Sequence, residues 1–393
     1  MRPGPVAQIV SYYRSLGRAW LGLPPRRKSD LYAWSFRQMA LLWDRPLFMG
    51  KTFGEFILSC PEGEGLKGFT LRPIAFLGLS AWPMIALVLS RRRDPREWSR
   101  NWRIALDRID LFVAIGRGPF TWDDCDGTPT SALHVVAGQY QYCHHHSAGF
   151  EIDDKRVFHA LCRKHELPTV PVVDEAELVA DTEYVAKPAC SGQGKGVVLL
   201  AGKKARETLD LSRYVLQPRL QNHSAIAAVA GTGAGLCTLR VVTLNVGGSP
   251  RVFGTAFRFA RAGSLVDNIH AGGVMSAVDL ESGVTLAGAT DALMRADWRN
   301  MRSLEAHPDT GVVFAKTLVL PHFNAAIELC VKAHRAFASD MFLCGWDVVL
   351  QAEGPLLLEG ASYLAGGLEA LHRPDYPLYL ECMLTQINTL MAR

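Results

Sequence analysis

At 393 residues, with 49% hydrophobic and 20% charged residues, the chain has the composition of a globular protein with large buried cores, and two or three domains are expected. Its nine cysteines form no CxxC pair, which argues against a disulfide scaffold or a zinc module and fits reduced, mostly buried thiols in a cytoplasmic setting. The net charge of +4 is unevenly spread: residues 1–110 hold 18 Lys+Arg against 9 Asp+Glu, and the remainder holds 24 against 29. A basic front half suits an anionic partner such as a lipid surface, a phosphorylated substrate or the acidic half of the chain itself.

The opening, MRPGPVAQIVSYYRSLGRAW, has no continuous apolar core and no small-residue cleavage site, so no secretory signal is expected. Residues 1–130 read as a mainly helical, basic region, with a helix from Asp30 to about Leu58 ended by PEGEGLKG. Residues 74–90 carry no charge, contain Pro83 and run directly into Arg91, Arg92 and Arg93. Three readings stand side by side: a buried helical pair kinked at the proline, a peripheral membrane contact through residues 74–103 at the inner face of the membrane, or a span of the bilayer by residues 74–90. The basic stretch Arg91–Arg103, with Trp98 and Trp102 interleaved, fits lipid or a lipid-linked sugar, and no nucleic acid is expected. Residues 131–150 read as a linker. Their run Cys143, His144, His145, His146 cannot turn every side chain toward one ion, and no second ligand pair follows at zinc-like spacing.

Regular signals begin near residue 151. Asp153 is placed to cap the helix KRVFHALCRKH, with Val157, Phe158 and Leu161 on its buried side. LPTVPVV is extended; EYVAKPA, VVLL and YVLQPRL read as strands, with SGQGKG as a loop between the first two. CTLRVVTLNV and RVFGTAFRFA form longer strands joined around Gly247 and Gly248. A helix spans about His322–Ala338, the strands FLCGWDVVLQ and PLLLEGA follow, and a last helix ends near Arg393. Helices and strands mix without strict βαβ repetition, so the fold class is α+β (mixed α/β), with 151–393 as one domain.

Two patterns carry chemistry. If Ala352-Glu353-Gly354 forms a three-residue hairpin loop, residue 351 pairs with 355, 349 with 357, and Asp347 lies directly opposite Glu359. Two like charges among Trp, Val and Leu repel and are poorly solvated. A divalent cation held by oxygen ligands, Mg²⁺ or Mn²⁺, removes both penalties, as an arginine placed between them also would. The second pattern is the loop Ser191, Gly192, Gln193, Gly194, Lys195, Gly196, whose glycines let backbone amides approach an anion, with Lys187 just before it.

In order along the chain, Lys155 before a helix, LPT, Lys187 at a strand end, the glycine loop, Gln217 in YVLQP, Arg240 in TLRVVT, GWD and LLLEG resemble the ATP-grasp superfamily. VDNIHAGGV, AHPDTG and GWDVV narrow the resemblance to its sugar-transfer-associated group, over roughly residues 150–370. The resemblance implies two α+β subdomains holding ATP between them. Lys155 and Lys187 would contact the phosphates, with Lys187 also near the base, and residues Ser191 to Gly196 would fold over them. Gln217 would read the adenine edge, Arg240 would hold the transferring phosphoryl group, and Asp347 and Glu359 would hold magnesium. Asp267, Asn268 and His270 are further candidates for lining a substrate site.

One position departs from the pattern. The family closes its metal site with Glu-x-Asn, whereas Glu359-Gly360 is followed here by Ala361, which cannot ligate. The implied activity is an ATP-dependent carboxylate–amine ligase acting through an acyl phosphate on small, sugar-linked substrates in surface-polysaccharide or glycan assembly. The alternative is a degenerate ATP-binding protein that regulates or scaffolds such a system.

Overall fold

The computed structural model describes residues 5–27, 30–41, 81, 151–191, 194–290, 304–361 and 376–392. Most of 74–103, the linker with its histidine run, Gly192 and Gln193 therefore lie outside the described residues. No helix among the described residues is long and apolar enough to cross a membrane.

The chain divides into two compact units, Met1–His145 with Asp375–Arg393, and His146–Pro374. In the first, α1 (Pro5–Trp20) packs on α2 (Asp30–Leu41), burying Leu16, Ala19, Leu31 and Trp34. Asp30 ties the turn between them, accepting from Ser15 Oγ at 2.5 Å and from the Arg26 and Arg27 amides at 3.0 and 3.1 Å. The C-terminal helix Tyr376–Met391 groups with this unit, where Asn388 Nδ2 donates to the Pro25 carbonyl at 3.2 Å.

The second unit is α+β and built on two antiparallel sheets. Helix α3 (Lys155–Lys164) begins at Asp154, whose side chain accepts from the Arg156 amide; the cap is Asp154 and not Asp153. Strands β1 (Glu183–Pro188), β2 (Val198–Ala201) and β3 (Tyr214–Pro218) form a small sheet in the order β2-β1-β3. Alternation sorts their side chains. Tyr184, Ala186 and Leu216 pack with Ala205 of α4 (Gly202–Thr208), which leaves Val185, Lys187 and Gln217 on the opposite face.

The large sheet is formed by β4 (Thr238–Val246), β5 (Ser249–Phe259), β6 (Val274–Val278), β7 (Thr285–Ala289), β8 (Leu343–Gln351) and β9 (Gly354–Ala361), in the order β7-β6-β5-β4-β8-β9. β4 and β5 are joined by Gly247 and Gly248, both at positive φ (59° and 86°), which gives a two-residue turn whose twist matches the strands. One face of this sheet is apolar: Leu239, Val241, Phe257, Trp346, Val348 and Leu357 pack against α3, the short α5 (Ser224–Ala230) and α6 (Phe323–Phe337). The other face carries Thr238, Arg240, Arg258 and Asp347, and it borders the cleft described below.

The stretch 168–170 runs along the free edge of β9, with the Val170 amide on the Leu357 carbonyl and the Leu357 amide on the Pro168 carbonyl, each at 3.0 Å. His322 precedes α6 in a left-handed conformation (φ 54°), and its ring bonds the Ala352 carbonyl at 3.1 Å, bracing the β8–β9 turn. Phe337 locks the layers together, edge-on to Phe158 of α3 at 6.4 Å and to Trp346 of β8 at 5.8 Å. Phe337→Ala should cost about 3–5 kcal/mol, the usual range for a buried phenylalanine, and should lower the urea midpoint without changing the slope.

Candidate active site

The β8–β9 hairpin sets the acidic groups, by a route that differs in detail from the sequence expectation. Its turn is a two-residue one, Ala352-Glu353, pairing Gln351 with Gly354, Leu350 with Pro355, Val349 with Leu356 and Val348 with Leu357. A register shift then brings Asp347 opposite Glu359, as expected. Leu358 is the extra residue of that bulge. Leu357 lies in the apolar core, while Leu358 packs with Val170 and Val349 and shares the cleft face with Glu359.

The carboxylate pair is not the naked repulsion that the hairpin register alone implies. Arg258 Nη2 lies 2.6 Å from Asp347 Oδ2, and Arg240 Nε, from the position opposite on β4, lies 2.8 Å from Oδ1. The Arg240 contact is an ion pair without hydrogen-bond alignment, so buried Oδ1 makes no hydrogen bond. Burial pushes the Asp347 carboxyl up, but the Arg240 and Arg258 charges outweigh it and the net shift is downward. The repulsion expected between Asp347 and Glu359 therefore does not raise the Asp347 carboxyl. Arg258 also reaches Asp267 Oδ2 at 3.6 Å, and Thr238 Oγ1 donates to the same oxygen at 2.6 Å. Asp267 goes the other way. Its own burial, with Asp347 nearby, raises it despite Arg258 and Thr238.

Across from these groups stand the basic residues of the small sheet and of α3. Lys155, buried at the first position of α3, donates to the Ser191 carbonyl at 2.6 Å and lies 3.6 Å from Glu359 Oε2. Lys187 makes no hydrogen bond and no ion pair within 4.0 Å among the described residues. Burial depresses its ammonium, and Lys155 depresses it further, against the pull of Glu359 and more distant carboxylates. The glycine loop closes one side. Gly194 sits at φ 69°, where a Cβ would stand 2.9 Å from Asn268 Oδ1 and 3.0 Å from Val266, so a side chain there would be both strained and obstructed. Between the two sheets lies a cleft of about 280 Å³. Its polar lining includes Lys155, Lys187, Gln217, Arg258, Asp267 and Glu359; Val170, Leu199, Leu220 and Leu236 give it apolar walls.

Residues 208–366 match the family described as sugar-transfer associated ATP-grasp. The matched segment covers less than half of the chain. Lys155, Lys187 and the glycine loop precede the matched segment, while Gln217, Arg240, Asp347 and Glu359 lie inside it. No curated protein matches the chain in sequence. Among solved structures, an L-amino acid ligase from Bacillus licheniformis is similar at 15% identity and a TM-score of 0.34, over 57% of this chain and 44% of that one. D-alanyl-alanine synthetase A from Vibrio cholerae is similar at 12% and 0.35, over 63% and 67%. D-alanine–D-alanine ligase from Bacillus anthracis is similar at 11% and 0.36, over 62% and 70%. The chain thus spans less than half of the first of these proteins, and at such scores none of them bears on substrate or activity.

Within the cleft, the structure brings together Lys155, Lys187, Ser191, Gly194, Gln217, Asp347 and Glu359. Arg240 does not line the cleft and engages Asp347 instead; Lys195 and Gly196 are exposed. Among the described residues, no three His, Cys, Asp or Glu side chains are grouped as a metal site. Sequence reasoning passed over Arg258 and His159. The signal for Arg258 was present, since an arginine between Phe257 and Phe259 in a strand must find a partner if it is buried.

Arg258 offers a direct test. Arg258→Met leaves two buried carboxylates without their main partner and should cost about 3–5 kcal/mol at neutral pH. In the wild type the lowered Asp347 contributes stability above its unfolded value of about 4, lost as pH falls through the folded value. In the variant both carboxyls rise, so the deficit relative to wild type should shrink as pH drops toward 4. Denaturant melts at pH 7 and pH 4.5 check this, and a pH-independent deficit would count against the pairing.

Proposed function

We propose that the cleft binds ATP with Mg²⁺ and drives ligation of a carboxylate to an amine. The observation that carries this reading is the facing of two lysines, buried Lys155 and half-buried Lys187, against Asp347 and Glu359 across a cleft in an ATP-grasp region. Phosphoryl transfer needs positioning and charge neutralisation more than a covalent catalyst, and these residues supply both. Lys155 and Lys187 would hold phosphate oxygens, the loop from Ser191 to Gly196 would lie over them, and Gln217 would meet the base edge. Arg258, with Arg240 behind it, would keep Asp347 ionised and oriented.

Asp347 and Glu359 suit magnesium. Asp347 Oδ1 is buried yet makes no hydrogen bond, and the Glu359 side chain, 36% exposed, borders the cleft. Mg²⁺ takes one or two carboxylates and completes its octahedron with phosphate oxygens and water, so Ala361 removes a ligand without removing the site. When bound, the ion would screen the phosphate charge.

In the reaction, the terminal phosphoryl group passes from ATP to a carboxylate oxygen, and ADP leaves. An amine nitrogen then attacks the acyl carbon, the C–O bond to phosphate breaks with its electron pair on oxygen, and the amine loses a proton to solvent. The family's association with sugar transfer favours substrates such as uronic acids and amino sugars in glycan assembly, in the cytoplasm. A degenerate, ATP-binding but non-turning-over protein is favoured by two specific observations: Ala361 stands where the family has Asn, and two guanidinium groups already occupy Asp347.

ADP release that requires both an acid and an amine supports the ligase; nucleotide binding without turnover across acid and amine pools supports the second reading. Lys187→Ala should weaken ATP binding ~10–150-fold, the equivalent of a charge-assisted contact of ~1.5–3 kcal/mol. An unchanged dissociation constant by calorimetry would remove Lys187 from the site.

A further inference from the structure

His159 lies one helical turn after Lys155 on the buried side of α3, and its ring joins a chain of hydrogen bonds that ends in the cleft. Thr169 Oγ1 lies 2.8 Å from the Leu357 carbonyl oxygen, which can only accept, so the threonine hydroxyl donates there. A hydroxyl has one hydrogen. At its second contact, 3.1 Å from His159 Nδ1, Thr169 Oγ1 must therefore accept, and Nδ1 carries the ring proton. Burial, with Lys187 and Lys155 nearby, holds the imidazole pKa down to about 4, so the ring is neutral at physiological pH. Nε2 is then a bare lone pair. Gln217, whose nitrogen lies 3.0 Å away, must donate to it through its amide N–H.

This fixes an assignment that geometry alone leaves free, because the two ends of a glutamine amide are interchangeable in shape. With Nε2 of Gln217 committed to His159, Oε1 accepts no hydrogen bond from the described residues. Gln217 lines the cleft beside Val170, Leu199 and Leu220, apolar walls of a kind that suits a flat ring. We propose that Thr169 and His159 are positioning residues that lock Gln217 with its oxygen toward the cleft, so that the site accepts a purine bearing an exocyclic amino donor and rejects a 6-oxopurine. A 6-amino group donates to Oε1. A 6-oxo group would oppose it with a second acceptor, leaving two acceptors facing each other without a proton between them. The proposal rests on the nucleotide reading above and adds to it the origin of base selectivity.

The test is calorimetric binding of MgATP and of magnesium inosine triphosphate to the full chain, in the wild type and in variants at Thr169 and Gln217. The wild type should prefer ATP by ~10-fold or more, the scale of one buried hydrogen bond replaced by an unmatched acceptor pair. Thr169→Val removes the acceptor for Nδ1–H, frees the other tautomer and lets the amide turn over, so the ratio should fall to ~3-fold or less, mainly through tighter inosine triphosphate binding. Thr169→Ser keeps a hydroxyl and should keep the ratio. Gln217→Met should bring the two nucleotides close to equal affinity, a readout that holds even if Thr169→Val folds poorly. Equal binding of the two nucleotides by the wild type, or a full ratio in Thr169→Val, overturns the inference and leaves nucleotide binding intact. Absence of binding by both nucleotides overturns the nucleotide reading itself, and the inference with it.

Discussion

The cleft is organised around the buried guanidinium of Arg258, set between Asp267 and Asp347 with Thr238 beside it. None of these groups is tolerable alone at that depth. A lone carboxylate would take up a proton, and a lone arginine would be strongly destabilising. Together they hold three strands of one sheet, plus the loop bearing Asp267, in a single arrangement. The two carboxyls end in opposite states: Asp347 is held ionised, and Asp267 is pushed toward its protonated form. Neighbouring acids driven apart in this way mark sites where charge is placed for use.

The opposite wall is arranged against local preference. Lys155 stands at the start of α3, where the helix dipole disfavours a cation, and Lys187 lies near enough to lower its own proton affinity through it. Burial, reinforced by the same two charges, keeps His159 neutral. An anion entering the cleft would relieve all three tensions at once. Stability is supplied from the far side of the large sheet, where Phe257, Trp346 and Phe337 form a continuous apolar layer with α3 and α6.

Much of this was legible in the residue order. The family resemblance put Lys187 and Gln217 at the site, and the carboxylate positions on β8 and β9 predicted the Asp347–Glu359 pairing. That pairing was reached through a turn one residue too long; the missing residue reappears as the bulge at Leu358, and the two departures cancel. What was not legible lay in contacts distant along the chain. Arg258 meets Asp347 through a β4–β8 neighbourhood set by sheet order, which no local pattern reveals. β6 and β7 were missed because their small residues, Ala, Ser and Gly, carry weak strand signals despite full burial of β6. Asp154 rather than Asp153 caps α3, a one-residue difference that adjacent aspartates cannot resolve by type alone.

The bulge gives β9 two consecutive residues on the cleft face, Leu358 and Glu359. Every residue from Gly354 to Leu357 obeys one pairing rule with β8, and every residue from Glu359 onward obeys another, displaced by one. Turn length is therefore free to drift, because a change confined to Ala352-Glu353 leaves the alternation beyond it intact. The bulge is tolerant in the same way: loss of Leu358 would let the first rule run on, with the glutamate still opposite Asp347 on the cleft face. What such a loss would change is the apolar wall, since Leu358 and Glu359 now stand side by side on the cleft face and only the glutamate would remain. The extra residue thus adds a leucine to the cleft without moving the acid out of it.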